Sequence, residues 1–124
     1  MRWDAPVQLT IRFAREPVEL AGTLLPVGTP VLVALAAAGR DPAVYAEPDR
    51  FLPKRHAWEP RELEHLAFSS GIHYCLGASL ARLEGELALK VLARRVPNLR
   101  LLPGAVRRRG SAIRGYLSLP ATSQ

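Results

Sequence analysis

Ten residues, FSSGIHYCLG from Phe68 to Gly77, constrain this chain more than any other stretch. They hold its only cysteine, Cys75, one of its histidines, His73, and glycines at 71 and 77. A leucine-periodic run follows at once: Leu76, Leu80, Leu83, Leu87 and Val91. Those spacings of three and four predict an amphipathic helix over Leu76–Arg95, stopped by Pro97. Ala81, Ala88, Leu89 and Leu92 widen the apolar face, so the helix expects neighbours on more than one side. Glu86 and Lys90 form a favourable i,i+4 pair, and Lys90, Arg94 and Arg95 suit the negative end of the helix dipole.

Upstream the periodicity changes. Val7, Leu9, Ile11 and Phe13 alternate with Gln8, Thr10 and Arg12, which predicts a half-buried strand with Arg12 on its polar face. Val18–Leu25 and Pro30–Leu35 read as two strands around the PVGT turn, where Gly28 can take a positive φ. The run VLVALAAAG ends equally well in a short helix before Gly39. Asp41–Pro60 is proline-rich and irregular, with Tyr45, Phe51, Leu52 and Trp58 as apolar anchors, so it reads as packed coil. Glu62–Leu66 is expected to form a turn of helix, and Ser111–Leu119 a short strand pair.

Composition narrows the function. The chain has 124 residues, room for one domain, and is 48% hydrophobic and 23% charged, the balance of a folded protein. One cysteine excludes an internal disulfide framework. No apolar run is long enough for a membrane span, and MRWDAPVQ lacks the apolar core of a signal peptide. The net charge of +6 is spread along the chain, apart from VRRRG at Val106–Gly110. With no helix-turn-helix or finger pattern beside it, that run is expected to be a solvated loop, with no nucleic-acid partner.

Cys75 is expected at the mouth of the long helix, where free N–H groups and the positive dipole end favour an anionic sulfur. Gly71 and Gly77 allow a sharp turn and close approach to a flat ligand. Phe68 can shield the sulfur, and His73 can donate to a carboxylate. A haem iron with one axial thiolate needs such a set. The residue types alone leave three other readings open. One is a zinc site from His56, His65, His73 and Cys75. The second is a nucleophilic cysteine activated by His73. The third is a buried structural cysteine beside a surface histidine.

Taken in order, the ten positions resemble the haem-binding signature of the cytochrome P450 family, F-x-x-G-x-H-x-C-x-G. Phe68, Gly71, His73, Cys75 and Gly77 match it without a gap. ASLARLE, Ala78–Glu84, resembles the start of the helix that follows the thiolate in that family. RDPAVYAEPDRF, Arg40–Phe51, is similar to its meander, and RWDAPVQLTIRFA, Arg2–Ala14, to the end of its E-x-x-R helix and the next strand. AIRGYLSLP is similar to its C-terminal hairpin. Gly39 stands where an asparagine is common in relatives.

The resemblance implies an α+β fragment of the mostly-α P450 fold. Its parts would be short β-hairpins, an irregular meander, a cysteine loop, one long amphipathic helix and a C-terminal strand pair. Residues 1–124 would be the incomplete C-terminal part of a haem domain, with the glutamate of E-x-x-R lying before Met1. It implies haem b (iron protoporphyrin IX) as cofactor, Cys75 as iron ligand, and Phe68, Gly71 and Gly77 at the porphyrin face. His73 and Arg12 would pair with haem propionates. Arg2 and Arg50 would belong to the family's structural Glu–Arg–Arg cluster, and Arg82 to a face that docks an acidic partner. The complete enzyme would be a cytoplasmic monooxygenase of the soluble bacterial type, taking a small organic substrate and a ferredoxin-type electron donor. The alternative is a truncated, inactive remnant that at most binds haem or a protein. In either case the helix lacks its usual neighbours, so the chain alone is expected to be marginally stable.

Overall fold

A computed structural model describes residues 1–55, 65–110 and 112–123. They fall into two units, Met1–Ala67 and Phe68–Gln124. The first contains β1 (Thr10–Phe13), β2 (Val18–Leu20), β3 (Thr23–Leu25), β4 (Pro30–Val33) and a single helical turn, α1 (Leu35–Ala38). The short helix before Gly39 is therefore present. The strand pairing differs from expectation. Val18–Leu25 folds on itself as an antiparallel β2–β3 hairpin, while β4 returns to pair with β1. The reason lies in two turns. Ala21 and Gly22 both have positive φ, 47° and 78°, the twist that closes a tight hairpin. Gly28, at φ 83°, then swings the chain back, and its N–H donates to the Ala14 carbonyl at 2.8 Å.

The polarity of β1 is also the reverse of expectation. Thr10 and Arg12 are half-buried, while Ile11 and Phe13 are exposed. The same alternation holds across the pair: Val31 and Val33 oppose Arg12 and Thr10, and exposed Leu32 opposes Ile11. A strand has two faces, and period two alone does not say which one its neighbours cover.

Residues 41–55 contain no α-helix or strand, as the prolines imply. Side chains hold this coil by its carbonyls, four in succession. Arg55 donates to Ala46 and Glu47, Arg2 to Pro48, and the Trp3 indole to Asp49 at 2.7 Å. Tyr45 is buried under the Arg2 guanidinium, 4.8 Å from its ring centroid. Phe51 is largely exposed and makes a T-shaped ring contact with Trp3 at 5.6 Å between centroids, so it anchors less than expected. Trp58 and most of the expected Glu62–Leu66 turn lie outside the described residues; Leu66–Phe68 forms a 3₁₀ turn.

The second unit is built on α2 (Ala78–Arg95), with β5 (Arg100–Leu101), β6 (Val106–Arg107), β7 (Tyr116–Ser118) and β8 (Ala121–Thr122). The helix starts two residues later than its periodicity predicts. Gly77 is its N-cap, and Leu76 lies in a turn closed by Ala78 N–H to the Cys75 carbonyl, 3.1 Å. The tail is not a self-contained strand pair. β7 pairs with β6 and β8 with β5, so both partners come from earlier in the chain. Val106 and Arg107 of VRRRG are thus strand residues, and Arg107 stacks 4.6 Å over Tyr116.

The core is small. Among the described residues the buried apolar side chains are Ala5, Leu35, Tyr45 and Ala67 in the first unit, and Phe68 and Ala78 in the second. Ala78 is the buried residue of α2; Leu80, Leu83, Leu87, Leu89 and Leu92 are all exposed. The face that its sequence marks for packing is uncovered in this chain.

Candidate functional site: the cysteine loop

The Phe68–Gly77 loop is shaped by its backbone. Ser69 and Gly71 both have positive φ, 63° and 60°. These two left-handed residues reverse the chain, and Gly71–His73 then winds one 3₁₀ turn closed by Tyr74 N–H to the Gly71 carbonyl, 3.0 Å. The reversal brings Cys75 back to Phe68, whose carbonyl accepts the Cys75 N–H at 2.9 Å. Phe68 turns inward and is buried; Cys75 stays exposed.

Glycine serves two different purposes here. Gly71 needs its conformation, since a side chain there meets nothing within 4 Å but would hold a left-handed φ. Gly77 has an ordinary φ of −85°, and a Cβ added there would lie 4.0 Å from the Cys75 sulfur. Its missing side chain leaves room beside the sulfur. On either side of Cys75, Ile72 and Leu76 are 98% and 103% exposed. An exposed thiol on a loop that also exposes two aliphatic side chains suits an apolar ligand whose metal takes a thiolate.

Two rings and one cation meet at the loop. Arg82, on the second turn of α2, lies 4.9 Å over the Phe68 ring and donates to the Tyr74 hydroxyl at 3.0 Å. The Phe68 and Tyr74 rings meet edge-on, 6.4 Å between centroids. Further along α2, Lys90 donates to Glu86, and this bond with the ammonium charge holds the Glu86 carboxyl below its ordinary value.

The family model for cytochrome P450 matches residues 1–96. The chain belongs to the cytochrome P450 family. PikC, a P450 monooxygenase of Streptomyces venezuelae, is 44% identical over 124 residues. The 6-deoxyerythronolide B hydroxylase of Saccharopolyspora erythraea is 43% identical over 123 residues. Each alignment covers 97% of this chain and 29% of the relative. The solved structure of P450BioI in complex with an acyl carrier protein superposes with a TM-score of 0.88 at 37% identity, covering 98% of this chain and 30% of that one. The chain thus spans about three tenths of the length of these P450 relatives. Haem is the cofactor of P450 family members.

Phe68, Gly71, His73, Cys75 and Gly77 all fall in the second unit, on one loop; Arg12 falls in the first. His73 is exposed at the end of the 3₁₀ turn. Arg12 donates to Thr10 Oγ1 at 2.8 Å and to the Ile11 carbonyl at 2.9 Å. Three expectations change. Exposed Cys75 is not a buried structural cysteine. No cluster of three metal ligands forms among the described residues, and His56 of the zinc reading lies outside them. Arg50, expected in the Glu–Arg–Arg cluster, is exposed and pairs with Glu47, while Arg55 is the buried arginine of the coil. The Arg82 clamp and the carbonyl-binding role of Arg55 carry no periodic signal, since both join residues brought together only by loops.

Proposed function

We propose that this chain is the C-terminal, haem-thiolate-binding part of a cytochrome P450 monooxygenase haem domain. One observation carries the reading: an exposed cysteine on a loop closed by the Cys75–Phe68 backbone bond, directly ahead of α2, with Ile72 and Leu76 of the same loop also exposed. Cys75 would be the axial ligand. Gly71 and Gly77 would keep the porphyrin side of the loop free of side chains, and buried Phe68 would screen the thiolate from water. His73 and Arg12 would donate to the propionates, a match of cation and carboxylate. When bound, haem supplies dioxygen chemistry in which one oxygen atom enters a C–H bond and the other leaves as water, consuming two electrons and two protons.

The complete enzyme would take a small organic substrate and receive electrons from a ferredoxin-type donor in the cytoplasm. The named activities of PikC and the 6-deoxyerythronolide B hydroxylase support a hydroxylating role. No helix among the described residues is long and apolar enough to cross a membrane. A second reading, a non-catalytic remnant, draws on one observation: the packing face of α2 is uncovered.

Haem titration followed by reduction under carbon monoxide tests the assignment. A strongly red-shifted Soret band is expected, and Cys75→Ser should abolish it. A spectrum that Cys75→Ser leaves unchanged would overturn the thiolate role.

A further inference from the structure

We propose that Arg82 is a positioning residue for the sulfur: from α2 it locks the Phe68–Cys75 loop shut by engaging both of its ends. The geometry is a closed circuit. The Arg82 guanidinium stacks 4.9 Å over the Phe68 ring and donates from its edge to the Tyr74 hydroxyl at 3.0 Å. Those two rings meet edge-on at an interplanar angle of 61°. The Cys75 amide, next to Tyr74, donates to the Phe68 carbonyl at 2.9 Å, which completes the ring of contacts. One planar cation thus holds the first residue of the loop and the residue before the sulfur.

Arginine suits this task for a definite reason. Its plane stacks on an aromatic face while its N–H groups donate sideways, so both contacts form at once. A lysine ammonium is a point charge and makes one of them well. The placement follows from the helix: side chains on α2 lean toward its N-terminus, so a residue on its second turn reaches back over the preceding loop. Phe68 is the buried aromatic of the second unit, and Arg82 covers one of its faces. The contact gives Arg82 a role within the loop, beside the docking face that the family resemblance implies for it.

The loop lock stands on geometry alone; its effect on iron ligation rests on the haem-thiolate reading above. Amide hydrogen exchange at Cys75 measures the lock directly, because that N–H is the bond the circuit closes. The protein to use is the polypeptide as its reading frame encodes it. Arg82→Gln and Arg82→Lys are each expected to speed Cys75 exchange by about threefold to tenfold, the range of losing one solvent-exposed cation–π contact or one ordinary hydrogen bond. Tyr74→Phe should give a smaller rise, and exchange in the later turns of α2 should not change. Unchanged exchange at Cys75 in Arg82→Gln would overturn the proposal. So would wild-type exchange in Arg82→Lys, which would make charge alone sufficient, or an equal rise throughout α2, which would mark general destabilisation. A parallel reading of the reduced carbon monoxide complex separates the two levels. A smaller thiolate-type fraction in both Arg82 variants supports the lock acting on ligation. Wild-type protein with no such band sinks the haem-thiolate reading, and the exchange rates still decide the lock.

Discussion

The Cys75 amide donates to the Phe68 carbonyl at 2.9 Å, and this bond defines the shape of the loop that carries the sulfur. It forms because Ser69 and Gly71 both take left-handed backbone conformations within the same short reversal. Gly71→Ala should weaken it by about 1 kcal/mol through backbone strain. Gly77→Ala, at an ordinary φ and with its Cβ only in van der Waals contact 4.0 Å from the sulfur, should leave it intact. Hydrogen exchange at the Cys75 amide distinguishes the two: faster in the first variant, unchanged in the second.

Gly39 illustrates a steric rather than conformational need. Its φ is −67°, open to any residue, but an added Cβ would lie 2.7 Å from the Arg2 carbonyl oxygen. The neighbour is backbone and cannot swing aside. Gly39→Ala should cost about 1–3 kcal/mol, the usual penalty of overpacking, measured by urea unfolding.

The two meander arginines should separate cleanly. Arg55 is 5% exposed and donates to the Ala46 and Glu47 carbonyls; the Arg50 side chain is 66% exposed and pairs only with Glu47 in the contacts described above. Arg55→Met should destabilise by about 2–4 kcal/mol, because two part-buried carbonyls lose their charged donor. Arg50→Ala should stay within about 0.5 kcal/mol, as exposed ion pairs do. Equal effects in thermal melts would refute the distinction.

Glu86 titrates below its ordinary value because the Lys90 hydrogen bond and charge favour its ionised form. A lowered folded-state value stabilises above the unfolded glutamate value, and that contribution is lost as pH falls through the folded one. The Glu86–Lys90 contribution should therefore be constant through neutrality and vanish only in acid. Carboxyl-carbon NMR should show a midpoint below that of a model glutamate, and Lys90→Gln should move it back up.

Leu83 tests how far α2 depends on neighbours beyond this chain. It is 53% exposed here, so Leu83→Ala in the 124-residue chain should change stability by only about 0.5 kcal/mol. In any longer polypeptide that covers this face the same substitution should cost about 2–5 kcal/mol. The isolated chain should also bind an apolar dye through this face, and a cooperative melt without dye binding would contradict the uncovered helix.

The sequence by itself determined what is local. The helix from its leucine spacing, its stop before Pro97, the irregular meander, the Gly28 turn and the order of Phe68, Gly71, His73, Cys75 and Gly77 all depend on residues close in the chain. Periodicity and the conformational limits of glycine and proline suffice for these. Tertiary structure decided everything that joins distant segments: β4 returning to β1, the tail strands finding β5 and β6, Arg55 rather than Arg50 turning inward, and Arg82 reaching Phe68 and Tyr74. It also decided which face of β1 is covered. Alternation states only that a strand has two unlike faces, and burial is settled by whatever packs against one of them.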